Sequence, residues 1–305
     1  MTVAIEFRAV SKWYGQVAGL TNLTFRIDAG VTGLVGQNGA GKSTLMKLAA
    51  GLLDPSLGQI LVAGRPPSEL GTRRRIGMCP DIDRFHEHLT GATFVAWMLR
   101  LSGWGMRDAR RRARQVLDEL GLGAPMDRAI GTYSKGMRQR VKLAQAIAHA
   151  PDVLLLDEPL TGLDPIARHE VGDWIRRTGA EGKVVLVSSH VLHELQSVAD
   201  GYLLMHRGRL LAEGGLDELR RQLADRPYRL SLRSRSPRTL ASRLSALSTV
   251  VGIEIDAGGV VVSTEGGHDL FEELTRIGAD DAAILDEIVT LDDNLESVFR
   301  YLVRG

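Results

Sequence analysis

The chain is short of cysteine, of net charge and of long apolar runs, and each shortage removes a class of protein. A single cysteine, Cys79, in 305 residues excludes an internal disulfide framework and suits a reducing compartment. No apolar run approaches the roughly 18 residues needed to cross a bilayer, so any membrane role must be exercised through a partner. The opening Met1-Thr2-Val3-Ala4-Ile5-Glu6 has no basic segment followed by an apolar one and does not read as a signal peptide. The 38 basic and 37 acidic residues leave a net charge of +1, so no long-range field argues for a nucleic-acid partner. With 44% hydrophobic and 25% charged residues, what remains is an ordinary globular chain of one large or two modest domains.

Against this background one stretch stands out: Gly36-Gln37-Asn38-Gly39-Ala40-Gly41-Lys42-Ser43. The apolar run Thr32-Gly33-Leu34-Val35 before it reads as a buried strand, and Thr44 to Leu53 is apolar on one face at helical spacing. Strand, glycine loop and helix are the context a Walker A phosphate cradle requires. Glycines at 36, 39 and 41 permit positive φ, which lets successive N–H groups point at one phosphate. The helix N-terminus favours an anion, Lys42 adds a mobile charge for the outer phosphates, and the Ser43 hydroxyl is placed to ligate Mg²⁺.

The rest of the chain falls around that cradle. Val3 to Val10 and Leu23 to Ile27 alternate apolar and polar residues, as half-buried antiparallel strands at the edge of a sheet do. Tyr14, in Lys12-Trp13-Tyr14-Gly15, either stacks on an adenine ring or covers the strand edge. Strands are expected at 58–64 and 75–79, then helices at Leu89 to Leu101, Arg107 to Leu120 and Lys135 to His149. The basic run at 107–114 begins an amphipathic helix and reads as a solvated face. Val153 to Asp157 is continuously apolar up to two carboxylates, Asp157 and Glu158, as in a strand buried on both sides. At the carboxyl end of such a strand, Asp157 would hold Mg²⁺ and Glu158 would orient or deprotonate an attacking water. Another buried strand, Val184 to Val187, leads to Ser188-Ser189-His190, where His190 is either structural or a γ-phosphate ligand.

Tyr133-Ser134-Lys135-Gly136-Met137-Arg138-Gln139-Arg140 resembles the LSGGQ signature of ABC transporter ATPases, matching at Ser134 and Gly136 and departing at Tyr133, Lys135 and Met137. With the cradle and the carboxylate strand, residues 3 to about 214 are similar to the separately encoded ATPase subunits of bacterial ABC exporters. The resemblance implies a P-loop α/β fold with a mostly parallel core sheet, an antiparallel β subdomain and a helical subdomain at about 85–150. It implies ATP and Mg²⁺ as cofactors. Tyr14 becomes the adenine-stacking aromatic, Gly36, Gln37, Asn38, Gly39, Ala40, Gly41, Lys42, Ser43 and Thr44 bind phosphates, and Asp157 and Glu158 are the metal and catalytic carboxylates. His190 becomes the switch histidine, and Asp164 the residue that communicates across a dimer. Asp81 takes the place of a metal-contacting Gln; shorter and anionic, it reaches the ion through water or after a shift driven by the membrane partner.

The resemblance further implies a homo- or heterodimer packed head to tail, the cradle of one copy facing Ser134 and Gly136 of the other. Its partner would be a polytopic membrane permease subunit, which makes it cytoplasmic and peripheral on the inner face of the membrane. The helical region carries Phe85, Phe94, Trp97 and Trp104, either as its own core or as a docking groove for that subunit. Residues 1–222 are expected to form the ATPase domain and 223–305 a small α+β domain, with a linker at Leu223 to Tyr228. Strand and helix patterns in the tail run βαββαβ, with a turn at Ala257-Gly258-Gly259 and a last strand at Ala282 to Val289, compatible with a ferredoxin-like domain, followed by a helix starting at Thr290 with Asp293 three residues on. A soluble ABC ATPase acting on ribosomes or nucleic acid is the alternative, but it usually carries two cassettes or a long coiled coil. A P-loop kinase or switch GTPase leaves the signature and His190 unexplained.

Overall fold

The computed structural model of the protein describes residues 4–221, 228–255, 258–265, 267–280, 285–291 and 295–304. The chain divides into two compact units, Met1–Gly215 and Leu216–Gly305. In the first, β1 (Ile5–Tyr14) and β2 (Val17–Ile27) form a hairpin, followed by β3 (Gly30–Gly36), α1 (Lys42–Ala49), β4 (Leu57–Val62), α2 (Leu70–Arg73) and β5 (Ile76–Cys79). Helices α3 (Gly91–Leu101), α4 (Met106–Glu119) and α5 (Lys135–Ile147) come next, and then β6 (Val153–Asp157), α6 (Pro165–Ala180), β7 (Val184–Ser188), α7 (Leu192–Val198), β8 (Gly201–His206) and β9 (Arg209–Gly214).

Two sheets result. The larger has the order β5-β6-β7-β3-β8-β9, parallel except for β9, which runs antiparallel to β8. Strands β6 and β7 are buried throughout, as continuous Val/Leu runs in a sheet covered on both faces must be. The smaller sheet is antiparallel, β2-β1-β4, with Phe7 and Phe25 stacked at 4.5 Å between ring centroids. The first strands therefore form a separate sheet rather than the edge of the main one, and they run on past Val10 to Tyr14. The reason is a register shift after Phe7: Arg8 and Ala9 both face out and Val10 and Ser11 both face in, with Ala9 at φ 50°. Such a bulge breaks the alternation on which a strand is recognised. Helix α1 sends Leu45, Met46 and Leu48 into one core with Phe7, Val10 and Ile27 of the small sheet and Leu34, Leu155 and Leu186 of the large one.

Phe94 is buried, and Phe85 meets it edge-on at 5.1 Å, so these two belong to the core of the helical region, whereas Trp97 is exposed. In α4, Ala109, Ala113, Val116 and Leu117 are fully buried. The arginines between them point outward, Arg111 to Asp108 and Arg114 to Asp127, the solvated face expected of that run.

The second unit holds α8 (Leu216–Arg221), β10 (Tyr228–Arg233), α9 (Pro237–Leu244), β11 (Val250–Ile255), β12 (Gly259–Thr264), α10 (Gly267–Asp280), β13 (Glu287–Thr290) and α11 (Leu295–Arg304). Its antiparallel sheet has the order β11-β12-β10-β13. The first and third strands are central, as in the ferredoxin-like arrangement. Leu230, Leu232, Val260 and Val262 of the sheet pack against Leu240, Leu244, Leu270, Leu274 and Ile277 of α9 and α10. Residues 223–227 of the expected linker, Ala257 of the expected turn, 282–284 of the last expected strand and Asp293 lie outside the described residues.

Candidate functional site

Five residues, 37 to 41, convert β3 into α1. Gly39 and Gly41 adopt φ of 81° and 103°, the left-handed conformations that only glycine takes without strain, and the Ala40 N–H donates to Gln37 O at 3.0 Å. Gly36 differs from expectation. Its φ is not positive; instead a Cβ there would lie 2.7 Å from Met205 O and 2.8 Å from Ala40 Cβ, so packing, not chirality, demands glycine. No side chain caps α1, which leaves its first amides available to an anion.

Lys42 is buried, and its Nζ donates to Gly36 O at 2.7 Å and Gln37 O at 3.4 Å. Burial lowers the pKa of this ammonium, opposed by the negative charge of Glu158 and Asp157. Those two attractions place the carboxylates near the cradle, as the sheet order requires: β3, β7 and β6 are neighbours whose carboxyl ends lie on one edge. Ser43 is exposed at the second position of the helix. Tyr14, 48% exposed, ends β1 with its hydroxyl 3.3 Å from Thr44 Oγ1. Its ring lies over Gly19, where a Cβ would come within 2.9 Å of Tyr14 Cε2.

At the end of β6, Asp157 is 5% exposed and its Oδ1 accepts from Ser188 Oγ at 2.6 Å. The same hydroxyl accepts from the Glu158 N–H at 3.1 Å, so Ser188 clamps both acidic residues. Glu158 holds φ 53°, a conformation that costs a residue with a Cβ about 1–3 kcal/mol and persists only where the surroundings enforce it. Its Oε2 accepts from Thr161 Oγ1 at 3.0 Å and lies 2.8 Å from His190 Nδ1. Carboxylate, hydroxyl and imidazole thus meet on one oxygen beside the cradle, an arrangement suited to orienting and deprotonating water.

Other expected residues lie elsewhere. Ser134 caps α5, its hydroxyl accepting from the Met137 N–H at 3.3 Å, and the space beside Gly136 opens on Gly162 and Leu163 rather than on the glycine loop. Asp164 caps α6 by accepting from the Ala167 N–H at 3.0 Å, a bond that holds its carboxyl below the usual range. Asp81 is exposed, and its carbonyl accepts from Lys142 Nζ at 2.7 Å. Among the described residues no three of His, Cys, Asp and Glu gather as a metal cage. Asp157 and Ser43 nevertheless fit Mg²⁺, which takes one or two protein oxygens and completes its shell from phosphate and water.

Three contacts left no mark in the sequence. They are the Ser188 clamp, the buried Gln139 whose Nε2 donates to Pro159 O at 2.8 Å, and the ion pair of Arg168 Nε with the buried Glu194 Oε1 at 3.2 Å. That Glu also accepts from Ser189, next to His190.

A family profile described as ABC transporter matches residues 20–161. The daunorubicin/doxorubicin resistance ATP-binding protein of Streptomyces peucetius is 40% identical over 257 residues, 83% of this chain and 77% of that protein. The Nod factor export ATP-binding protein I of Burkholderia orbicola is 38% identical over 218 residues, covering 70% and 72%. A solved ATP-binding subunit of an ABC transporter matches with a TM-score of 0.66 at 31% identity, over 72% of this chain and 92% of that one. A bacterial ABC transporter cassette solved as a dimer shares the fold, with a TM-score of 0.65 at 22% identity over 69% and 98%.

Proposed function

This chain belongs to the family of ABC transporter ATP-binding subunits, and from that premise we propose how its site hydrolyses ATP and what the hydrolysis drives. The chain is an ATP-driven motor subunit. Its relatives carry names of drug resistance and Nod factor export, which supports an exporter, and nothing favours a soluble ribosomal or nucleic-acid ATPase. The observation that carries the mechanism is the convergence of Thr161 and His190 on Glu158 Oε2, at the end of the strand beside the Lys42 cradle.

In this reading residues 36–44 wrap the phosphates with backbone N–H groups, and Lys42 exchanges the carbonyls of Gly36 and Gln37 for phosphate oxygens. Tyr14 stacks on the adenine. Asp157 and Ser43 would hold Mg²⁺, with Asp81 reaching it through water; the ion supplies charge neutralisation on the phosphates. Glu158 takes the proton of the attacking water and His190 holds the γ-phosphate. No covalent intermediate is needed, because positioning and electrostatics suffice. Ser134, Gly136 and Asp164 act across a dimer, of like or unlike subunits, on the nucleotide of the other copy. ATP then favours the closed pair because its γ-phosphate gains contacts from both sides only there.

The work leaves through a polytopic permease subunit at the inner face of the membrane, since among the described residues no helix is long and apolar enough to span it. Exposed Trp97, Leu101 and Met106 on the helical region suit that contact. Glu158→Gln tests the core of the reading. Loss of a general base costs about 10²–10⁴-fold in turnover, so the variant is expected to bind ATP and stall. Hydrolysis at the native rate would remove Glu158 from the catalytic role.

A further inference from the structure

Helix α5 buries two polar side chains that its packing alone does not call for. Gln139 is 3% exposed and Lys142 5%, and at a spacing of three they share one face of the helix. An ammonium taken out of water costs free energy that a leucine or methionine at the same place would not. Each of the two grips a different loop by its backbone. Gln139 Nε2 donates to Pro159 O at 2.8 Å and to Glu158 O at 3.4 Å. Lys142 Nζ donates to Asp81 O at 2.7 Å and pairs with Asp83 Oδ1 at 3.0 Å. The first loop leaves β6 and carries the catalytic carboxylate; the second leaves β5 and carries Asp81. Gln139 Nε2 also lies 3.8 Å from Cys79 Sγ at the end of β5, so one amide touches the ends of both strands. At the N-terminus of the same helix, about one to two turns before them, stands Ser134, bonded to the Met137 N–H.

We propose that Gln139 and Lys142 are positioning residues that make α5 a strut between two nucleotide sites. A displacement of Ser134 by nucleotide on a second copy is passed along the helix to the backbone of Glu158 and Asp81 in its own chain. The inference rests on the two-copy reading above and adds to it the side chains that carry the movement. Each grip holds its loop by a backbone carbonyl, with the Asp83 carboxylate added on the Lys142 side, so they fix where the loops stand without touching nucleotide. Removing one frees a loop while the cradle on α1 remains whole.

The test uses the full chain, with ATP turnover, binding of a fluorescent ATP analogue and thermal unfolding measured for Lys142→Met and Gln139→Met. Misplacing a reacting group by about 1 Å costs up to about 10²-fold. The expected result is therefore a kcat lowered by about tenfold to a hundredfold at unchanged analogue affinity. Native kcat in the folded variants overturns the strut, as does a loss of affinity in parallel with activity, which is what mere destabilisation would give. If Lys142→Met does not fold, Gln139→Met reads the helix's other grip, on Pro159 O, by itself. Lower kcat at unchanged affinity then supports the strut, and native kinetics overturn it. Glu158→Gln runs alongside: if it hydrolyses ATP at the native rate, the reading of the site falls and the strut with it. If it stalls while Lys142→Met turns over normally, the strut alone has failed.

Discussion

Cys79 shows how far one side chain's behaviour follows from its surroundings. Fully buried at the end of β5, its thiol is pushed up to about 12, chiefly by desolvation. At pH 8 it stays protonated and a poor nucleophile. An alkylating reagent is therefore expected to modify it only after denaturation, and prompt labelling of the native protein would contradict this burial. The linkage has a definite sign. An unfolded thiol ionises near its ordinary value of 9.0 while the folded one resists to about 12, so this group leaves stability unaffected below that window and undermines it as pH rises through it. The loop glycines separate in the same way. At Gly41 a Cβ would meet Leu20 Cδ2 at 2.6 Å and Gly19 O at 3.0 Å besides the strain of φ 103°, whereas at Gly39 there is nothing within 4 Å. Gly39→Ala is expected to cost roughly 1 kcal/mol from backbone strain and Gly41→Ala more than that; equal midpoints in a denaturant titration would refute the distinction. Glycine in the loop was legible from the sequence because its φ is a local demand. The left-handed φ of Glu158 was not, since nothing local asks a glutamate to adopt it; Ser188, thirty residues on, enforces it.

Elements were legible where their period ran unbroken. The Val/Leu runs of β6 and β7 end on the carboxylates and serines that the pattern places there, and α4 turns its alanines inward and its arginines outward. The period fails at β1, where two outward residues precede two inward ones and the strand runs four residues beyond the alternating stretch that ends at Val10. It was equally silent on α5. Gln139 and Lys142 bond to carbonyls up to 61 residues away, and a backbone acceptor has no residue type by which a sequence could announce it. The sequence pattern places the start of α3 at Leu89, whereas Thr90 is its cap, accepting from the Thr93 N–H at 3.1 Å. Replacing a capping threonine costs about 1 kcal/mol. Thr90→Ala is accordingly expected to lower the stability of the protein by that amount in denaturant unfolding without altering ATP affinity. An unchanged midpoint would mean that the cap contributes nothing.

At the scale of the whole molecule, the order βαββαβ in the second unit was readable from alternating runs and pointed to the ferredoxin-like pairing β11-β12-β10-β13 that forms, but the register of that pairing was not, because it joins residues distant in sequence. The site divides along the same line. Within one chain the structure brings Lys42, Asp157, Glu158 and His190 to one edge of the large sheet, while Ser134 caps its own helix and Gly136 stands beside residues 162 and 163. A motif that faces away from its own cradle makes chemical sense when it serves another copy's, and that is the claim on which the motor depends. It can be tested with a single pair of introduced cysteines, since the native Cys79 is buried and protonated. In a Glu158→Gln background, Asn38→Cys on the glycine loop and Lys135→Cys beside Ser134 would be exposed to a short bifunctional thiol reagent with and without ATP. The expected result is an intermolecular crosslink between the two positions that forms with ATP and not without it. Crosslinking indifferent to ATP, or none in a variant that binds ATP, would contradict the account.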